Sequence, residues 1–531
     1  MHLLIDQGGS SSRAFVVAAN GRAISSAQSK VQTQVNQAPD TCYVEQCPAQ
    51  ILSSIKSVIN NALADACKML NQPQVAITSA ALVTQRSSFV TVQKSTENPI
   101  TQIISWQDTR AANELDAIVK NDETLAPLIS QATGLRASAH YGASKMAWLL
   151  KYNALVKEAA HNDDLVFLPI ASYICSALNS FENTKATQAL PPYTVDPANA
   201  SRTLLMNKKS QQWHEKLLDV FTIKPQWLPQ IVSTTSHFAT VSSKQFPLLA
   251  ANVELAYVNG DQSAAFFSHG MPKTTSLKIN VGTGAFVSMR QPQLTAVQQE
   301  SLRKSGLLTS IVYADVDHSY YVLEGTVNGA GAALDYIAKK HNIKHAENEL
   351  LAIEQQFSYQ LITHAPIFIN TIGGLAAPFW RTDITSHFIG MQTMKDHTEF
   401  NLELYAVLES IIFLIANLIK QFQQYQTVKE LALSGGVANS NLFCQLLADL
   451  SGITLVRSAN PEASISGSFY GLTGKNGIRL QCDNEDSNAT LSTLPTTENT
   501  ENENTVFQPK NGEILHDRFT HWLSELQRLV A

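Results

Sequence analysis

Two stretches of the chain repeat one pattern: an apolar run, a short turn of small polar residues, then a second apolar run. Residues 3–18 read LLIDQGGSSSRAFVVA and residues 277–288 read LKINVGTGAFVS. The alternation and the turn composition predict a two-stranded hairpin at each. After the first hairpin, AQILSSIKSVINNALADA (49–66) places apolar residues at helical spacing, and VAITSAALVTQ (75–85) reads as a buried strand. The second half follows a similar order. TSIVYADVDHSYYVLEG supplies strands, TVNGAGAALDYIAKKH a helix start and ELYAVLESIIFLIANLIKQF a long buried helix; ELALSGG is a strand, followed after a glycine turn by the helix SNLFCQLLADL.

This repetition predicts an α/β protein of two related domains, each presenting a hairpin, with a nucleotide held between them. A boundary is expected around 240–254, giving an N-terminal domain over 1–250 and a C-terminal domain over 251–480. Residues 483–505, poor in apolar side chains and rich in Asn, Thr and Glu, read as a disordered or surface loop. Beyond them, 513–531 aligns Ile514, Leu515, Phe519, Trp522, Leu523, Leu526 and Leu529 on one helical face. That helix either docks back on the body or binds a partner.

With 531 residues, 44% of them hydrophobic, the chain can bury more than one core. A net charge of −6 offers no basic face, which argues against nucleic acid and acidic membranes as partners. Cys42, Cys47, Cys67, Cys175, Cys444 and Cys482 form no CxxC pair and have no His at metal-ligand spacing; they read as free thiols in a reducing compartment. The first residues lack signal-peptide character, and the apolar run 411–419 is too short to span a bilayer. The expected address is the cytoplasm.

In a tight turn, glycine removes the Cβ that would block a phosphate, while hydroxyls and backbone N–H groups supply donors. Gly8, Gly9, Ser10, Ser11 and Ser12 fit that role in the first hairpin; Gly282, Thr283 and Gly284 fit it in the second. In AYVNGDQSAAFF, a strand stops at Gly260 and a small-residue helix follows Asp261. Asp261 reads either as a helix N-cap or as a general base at a strand's end, with Gln262 beside it for a hydroxyl. Asp6, at the mouth of the first hairpin, suits Mg2+ directly or through water, or is an Asx-type turn residue. Arg13 either neutralises phosphate or is a strand-edge cation. The Gly435-Gly436 turn lets a base or ribose approach the backbone.

Taken together, IDQGGSSSRA, TQRSSFVTV, WQDTR (106–110), ANASRTLLMN (198–207), NGDQSAA, NVGTGAF, LEGTVNGAG (323–331), GGLAAPFW (373–380) and LSGGVANSNLF resemble the FGGY family of carbohydrate kinases, most closely its glycerol kinase branch, over residues 3–474. The resemblance implies a two-domain fold of the actin, hexokinase and Hsp70 type (ribonuclease H-like), with the active site in the interdomain cleft. It implies transfer of the ATP γ-phosphate, with Mg2+, to a hydroxyl of a small sugar or polyol. By position, Asp261 becomes the base, and Gln262, Arg86, Trp106 and Phe286 line the acceptor pocket. Gly9, Ser10, Ser11, Arg13 and Thr283 would touch phosphates; Gly331, Gly436 and the segment around Ser440 would hold the adenosine.

Several positions depart from that pattern. Glycerol kinases carry Glu after the Arg that corresponds to Arg86; here it is Ser87. Their Tyr before the Lys-x-x-Trp stretch is His140, with Tyr141 next to it. On the nucleotide side, Gly9 stands for Thr, Asp335 for Gln and Ser440 for Asn. Losing a buried charged acceptor costs about 2–4 kcal/mol, so the expected acceptor is a sugar or polyol other than glycerol. In the expected mechanism Asp261 takes the hydroxyl proton during in-line attack, and domain closure excludes water. A glycerol kinase with an altered pocket, a chaperone-like binding relative and a catalytically silent sugar sensor are the competing readings. A homodimer or homotetramer stays open.

Overall fold

The computed structural model describes residues 1–37, 41–179, 193–343, 350, 353–354, 363–390, 397–458, 462–474, 504–510 and 512–531. The expected loop at 483–505 lies outside them save for its last two residues. The chain divides into two compact units: Met1–Met271 with Ser310–Tyr321 and Glu462–Thr500, and Pro272–Thr309 with Val322–Pro461 and Glu501–Ala531.

The first unit is built on a six-stranded sheet ordered Thr235–Val241, Val253–Gly260, Ser79–Thr84, His2–Gln7, Ser11–Val17, Ala23–Lys30. The hairpin strands His2–Gln7 and Ser11–Val17 pair antiparallel, and Ser79–Thr84 joins parallel to His2–Gln7. Leu3, Leu4 and Ile5 are fully buried because this strand has a neighbour on each side and helices on its faces. The covering helix Pro48–Leu70 starts with proline at its first turn and turns Ile51, Ile55, Val58, Ile59, Ala62, Leu63 and Ala66 inward. It ends at Asn71 in the left-handed conformation, φ 52°. A second sheet orders Gln34–Gln37, Cys42–Gln46, Ile103–Ile104, Phe89–Gln93 and Leu165–Pro169.

The boundary expected near 250 lies instead at 271/272. Strand Val253–Gly260 pairs parallel with Ser79–Thr84, so Asp261 belongs to the first unit. The end of the expected C-terminal domain also changes unit. Helix Ala463–Thr473 packs on Asp261–Ala265 so tightly that a Cβ on Gly467 would fall 1.7 Å from the Ala264 carbonyl oxygen.

In the second unit the sheet orders the strand part 322–327, then Ala285–Arg290, Ser276–Val281, Glu430–Ser434, Thr454–Arg457 and Thr505–Phe507. Here too an antiparallel hairpin is followed by parallel neighbours. This is the repeated order the sequence predicts. Helix His397–Gln423 forms the core of this unit. Its stretch Phe400–Gln423 is long and apolar enough to cross a membrane by composition, but the apolar window is wholly buried within the protein. The last helix, Glu513–Val530, buries Leu515, Phe519, Trp522 and Leu526. Its Arg518 donates to Glu409 (2.6 Å) and to the carbonyls of Ala365 and Pro366 (2.9 and 3.1 Å). It therefore docks on the body. The five described cysteines are free thiols.

Candidate active site

The first hairpin ends its leading strand on Asp6, which stands directly opposite Arg13 in the sheet register. The Arg13 guanidinium bridges the carboxylates of Asp6 and Glu462, and Ser464 Oγ donates to Asp6 Oδ2 at 2.7 Å. Arg13, expected to face phosphate or to be a strand-edge cation, is thus engaged by two acidic side chains. Asp6 sits on the strand and is buried, so it is not a turn residue.

Within the turn, Gly8 N–H donates to Ser11 O at 2.9 Å. The carbonyls of Gly8 and Gly9 accept from Gln7 Nε2 and Gln46 Nε2, each at 2.7 Å, and Ser10 O accepts from Val31 N–H at 2.9 Å. With the carbonyls held this way, the amides of Gly9 and Ser10 have no hydrogen-bond partner among the described residues. Ser12 is a correction to the expected donor set. Strand alternation turns it inward, where its Oγ shares a 2.7 Å hydrogen bond with Ser54.

Strand Val253–Gly260 delivers Asp261 as the first residue of helix Asp261–Ala265. Gly260 holds the cap position, so Asp261 is not the N-cap. Its carboxylate oxygen Oδ1 accepts from Gln262 N–H at 2.6 Å and lies 3.9 Å from Arg86 Nε. Removal from water, opposed by Arg86, aided by Asp6 and opposed again by the Gln262 N–H and Arg202, leaves the Asp261 carboxyl raised to about 6. Gly260 is glycine for a steric reason: a Cβ there would fall 2.5 Å from Arg86 Cγ. Arg86 Nη1 also reaches Ser263 Oγ at 3.5 Å.

Ser87 follows at φ 64°, a left-handed backbone that few non-glycine residues adopt, and its buried Oγ has no partner among the described residues. Trp106 and His140 stand ring to ring at 5.5 Å, and His140 meets Tyr141 at 5.1 Å. Burial, then Lys145, Arg202 and Arg86, hold His140 well below the usual imidazole range, so the ring is neutral.

Sequence reasoning missed the residues that hold these walls. Lys145, fully buried, donates to the carbonyls of Ser105 (2.9 Å) and His140 (3.2 Å), tying the two aromatic segments together; burial lowers it to about 7. Asp108 and Arg110 of WQDTR pair with each other at 2.8 Å and anchor the Trp106 segment to strand Cys42–Gln46 through Val44 N–H and Glu45. Glu462, Ser464 and Gly467 went unread, although Gly467 and Gly471, four apart, signal a helix face that must approach another backbone closely.

In the second unit the turn Gly282–Gly284 is packed differently. The amides of Gly331 and Ala332, opening helix Gly331–Lys340, donate to the carbonyls of Gly282 (2.9 Å) and Thr283 (3.0 Å). A Cβ on Gly331 would fall 2.7 Å from Gly282 O, and one on Gly284 would fall 2.8 Å from Val327 O. Gly435, at φ 101°, lies against Val281, while Gly436 has open space around it. Ser440 caps helix Asn441–Ser451 through Phe443 N–H and donates to Glu354 at 3.4 Å. Asp335 is exposed on its helix, and Phe286 is half-buried on its strand opposite Asn280 and Thr326.

Asp6, Gly9, Ser10, Ser11, Arg13, Arg86, Ser87, Trp106, His140, Tyr141, Asp261 and Gln262 therefore belong to the first unit. Gly282, Thr283, Gly284, Phe286, Gly331, Asp335, Gly436 and Ser440 belong to the second.

Comparison with known proteins matches residues 1–268 to the N-terminal domain, and residues 277–470 to the C-terminal domain, of the FGGY family of carbohydrate kinases. A glycerol kinase of Acinetobacter baylyi is 29% identical over 470 residues, covering 88% of each chain, and one of Borreliella afzelii is 30% identical over 473 residues, again 88% of each. Among solved structures, Plasmodium falciparum glycerol kinase with ADP aligns at TM-score 0.82 and 23% identity over 99% of this chain and 98% of that one. Ligand-bound xylulose kinase from Lactobacillus acidophilus aligns at TM-score 0.78 and 18% identity over 100% and 99%. These two likenesses establish the fold.

Proposed function

Because the chain belongs to the FGGY family of carbohydrate kinases, we propose that it transfers the γ-phosphate of ATP to a hydroxyl of a sugar or polyol other than glycerol, with Asp261 as the general base. One observation carries the reading. Asp261 sits at a strand's end, raised to about 6 yet held by Arg86, so it is ionised at neutral pH and basic enough to take a proton as the oxygen attacks. Trp106 and His140 offer an apolar wall for the carbon chain, and Gln262 a hydrogen bond for a second hydroxyl. Gly9 and Ser10 are assigned to the phosphate chain through amides that have no partner among the described residues, and Ser10 and Ser11 through their hydroxyls. Gly282, Thr283, Gly284, Gly331, Asp335, Gly436 and Ser440 are assigned to the nucleotide.

The donor set at Asp6 fits a hydrated Mg2+ entering with ATP. Arg13 and Ser464 both engage Oδ2 of Asp6, which leaves Oδ1 without a side-chain partner among the described residues, and the repulsion between Asp6 and Asp261 would be relieved by a cation. The metal would supply charge neutralisation of the phosphates. Arg13 is assigned to holding Asp6 in place, and to phosphate only when it leaves Glu462.

The change from Glu to Ser87 underlies the choice of acceptor: a short hydroxyl, itself buried, replaces a carboxylate that would bind hydroxyls. The relatives named glycerol kinase favour a second reading, a glycerol kinase with an altered pocket. Measuring ADP release against glycerol, pentitols, pentuloses and heptuloses separates the two. Efficient glycerol turnover would overturn the first reading.

A further inference from the structure

Asp6 and Asp261 stand at the ends of two strands that flank a third. Strands His2–Gln7 and Val253–Gly260 both run parallel to Ser79–Thr84, and Asp6 and Asn259 are each level with Val83. The two carboxylates act on one another, since the charge on Asp6 raises the Asp261 carboxyl. The sheet fixes both backbones, but a side chain at a strand's end still turns about its own bonds.

One helix, Ala463–Thr473, touches both strands. Its residues 464, 467 and 471 are spaced three and four apart and so share a face. Ser464 Oγ donates to Asp6 Oδ2 at 2.7 Å. Gly467 lies against the helix that Asp261 opens, with no room for a Cβ beside the Ala264 carbonyl. A Cβ on Gly471 would fall 2.3 Å from the ring of Tyr257, on the strand that delivers Asp261. Phe469 meets His2 ring to ring at 5.8 Å, so the helix is also fastened to the first residue of the strand that carries Asp6. It cannot slide on either strand without a clash or a lost contact. Arg13, directly opposite Asp6 in the hairpin, holds the same oxygen from the other strand and is shared with Glu462. Two donors therefore converge on Oδ2, and Oδ1 has no side-chain partner among the described residues. A carboxylate fixed by one oxygen has less rotation left to lose when the other binds.

We propose that Ser464 is a positioning residue for phosphoryl transfer: from a helix seated on the carrier of Asp261, its hydroxyl pins one oxygen of Asp6 and leaves the other for the hydrated divalent cation of the nucleotide. This rests on the kinase reading and on the assignment of Asp6 above, and adds the residue that orients Asp6. Ser464 acts through Asp6. Because Gly467 and Gly471 seat the same helix, the place of Asp6 is tied to that of the general base and not to the hairpin alone.

The test is binding of Mn2+, a paramagnetic substitute for Mg2+, to the full chain in the presence of ADP. Bound ion is read by electron paramagnetic resonance as loss of the free-ion signal beyond that caused by ADP alone. Ser464→Ala should weaken Mn2+ binding by about tenfold, and Ser464→Thr, which keeps the hydroxyl, should stay within about threefold of the parent. If Ser464→Ala does not fold, Ser464→Cys, similar in size but a weaker donor, should show a loss of about threefold. In an Asp6→Asn background Ser464→Ala should change the affinity by less than about twofold, because the residue it acts through is already altered. A merely structural serine would lower the thermal midpoint of Ser464→Ala and leave Mn2+ affinity at the parent value, which overturns the proposal. An equal loss in both backgrounds overturns it too, as does a Ser464→Thr variant as weak as Ser464→Ala. No binding of Mn2+ by the parent overturns the cation assignment and this role with it. ADP release by the parent with MgATP and the acceptor panel is measured alongside, and its absence with every acceptor overturns the kinase reading.

Discussion

The two hairpin turns look alike in sequence, yet their glycines serve different ends. At the first turn, a Cβ on Gly9 would meet Gln85 and Trp106 at 3.8 and 3.9 Å, which is ordinary contact. Neighbouring glutamines hold the carbonyls, and the unengaged amides remain. At the second turn, the carbonyls of Gly282 and Thr283 receive the opening amides of a helix, and Cβ atoms on Gly284 or Gly331 would strike backbone oxygen inside 3 Å. The first turn is thus shaped to be available, the second to be packed against. A glycine-rich turn therefore says nothing by itself about which role it plays; that depends on the backbone next to it.

If this contrast is right, changes in the first unit should act on rate and changes at the second turn on stability. The largest effect is expected for Asp261→Asn, a loss of about 10²–10⁴ in kcat with ATP affinity within a few-fold and no loss of thermal stability. Unchanged turnover would remove Asp261 from the chemistry. Next comes Gly284→Ala, expected to destabilise by about 1–3 kcal/mol, read as a lower urea midpoint. A variant as stable as the parent would break the contrast at its second term.

The pH profile follows. Asp261 must be ionised to accept a proton, and its folded value is raised to about 6. kcat should therefore be level above neutrality and fall about tenfold for each pH unit below 6. That limb should vanish from the residual activity of Asp261→Asn. The smallest effect is expected for Gly9→Ala, a stability change within about 0.5 kcal/mol. A loss as large as that of Gly284→Ala would show that the two turns are alike after all.

Much of the frame was legible beforehand. Both hairpins, helix Pro48–Leu70, strand Ser79–Thr84 and the docking face of Glu513–Val530 all follow from spacing, because each buries one stripe or one face. The boundary expected near 250, just before the strand that ends at Gly260, moves to 271/272 because Val253–Gly260 is joined to the first unit by a ladder with Ser79–Thr84. Ser12 departs from expectation, and Arg13 has partners the expectation did not name, for a similar reason. Their chemistry suits phosphate, but alternation turns Ser12 to the core and cross-strand register sets Arg13 on Asp6. Lys145 and Glu462 carried no local signal, since a buried Lys bonded to two carbonyls looks like any helical Lys until its partners are known.

The sequence by itself determined the elements and the chemical vocabulary: two hairpins of one design, a carboxylate at a strand's end, a Ser where a Glu is expected. Periodicity and residue type are local properties, so they can be read without knowing what lies opposite. Only the tertiary structure decided that Asp261 joins the first unit, that Arg13 is held by Asp6 and Glu462, and that Arg202 joins Arg86 in the field at Asp261. Those relations link positions far apart in the chain, and burial and charge act between neighbours in space, whatever their separation in sequence.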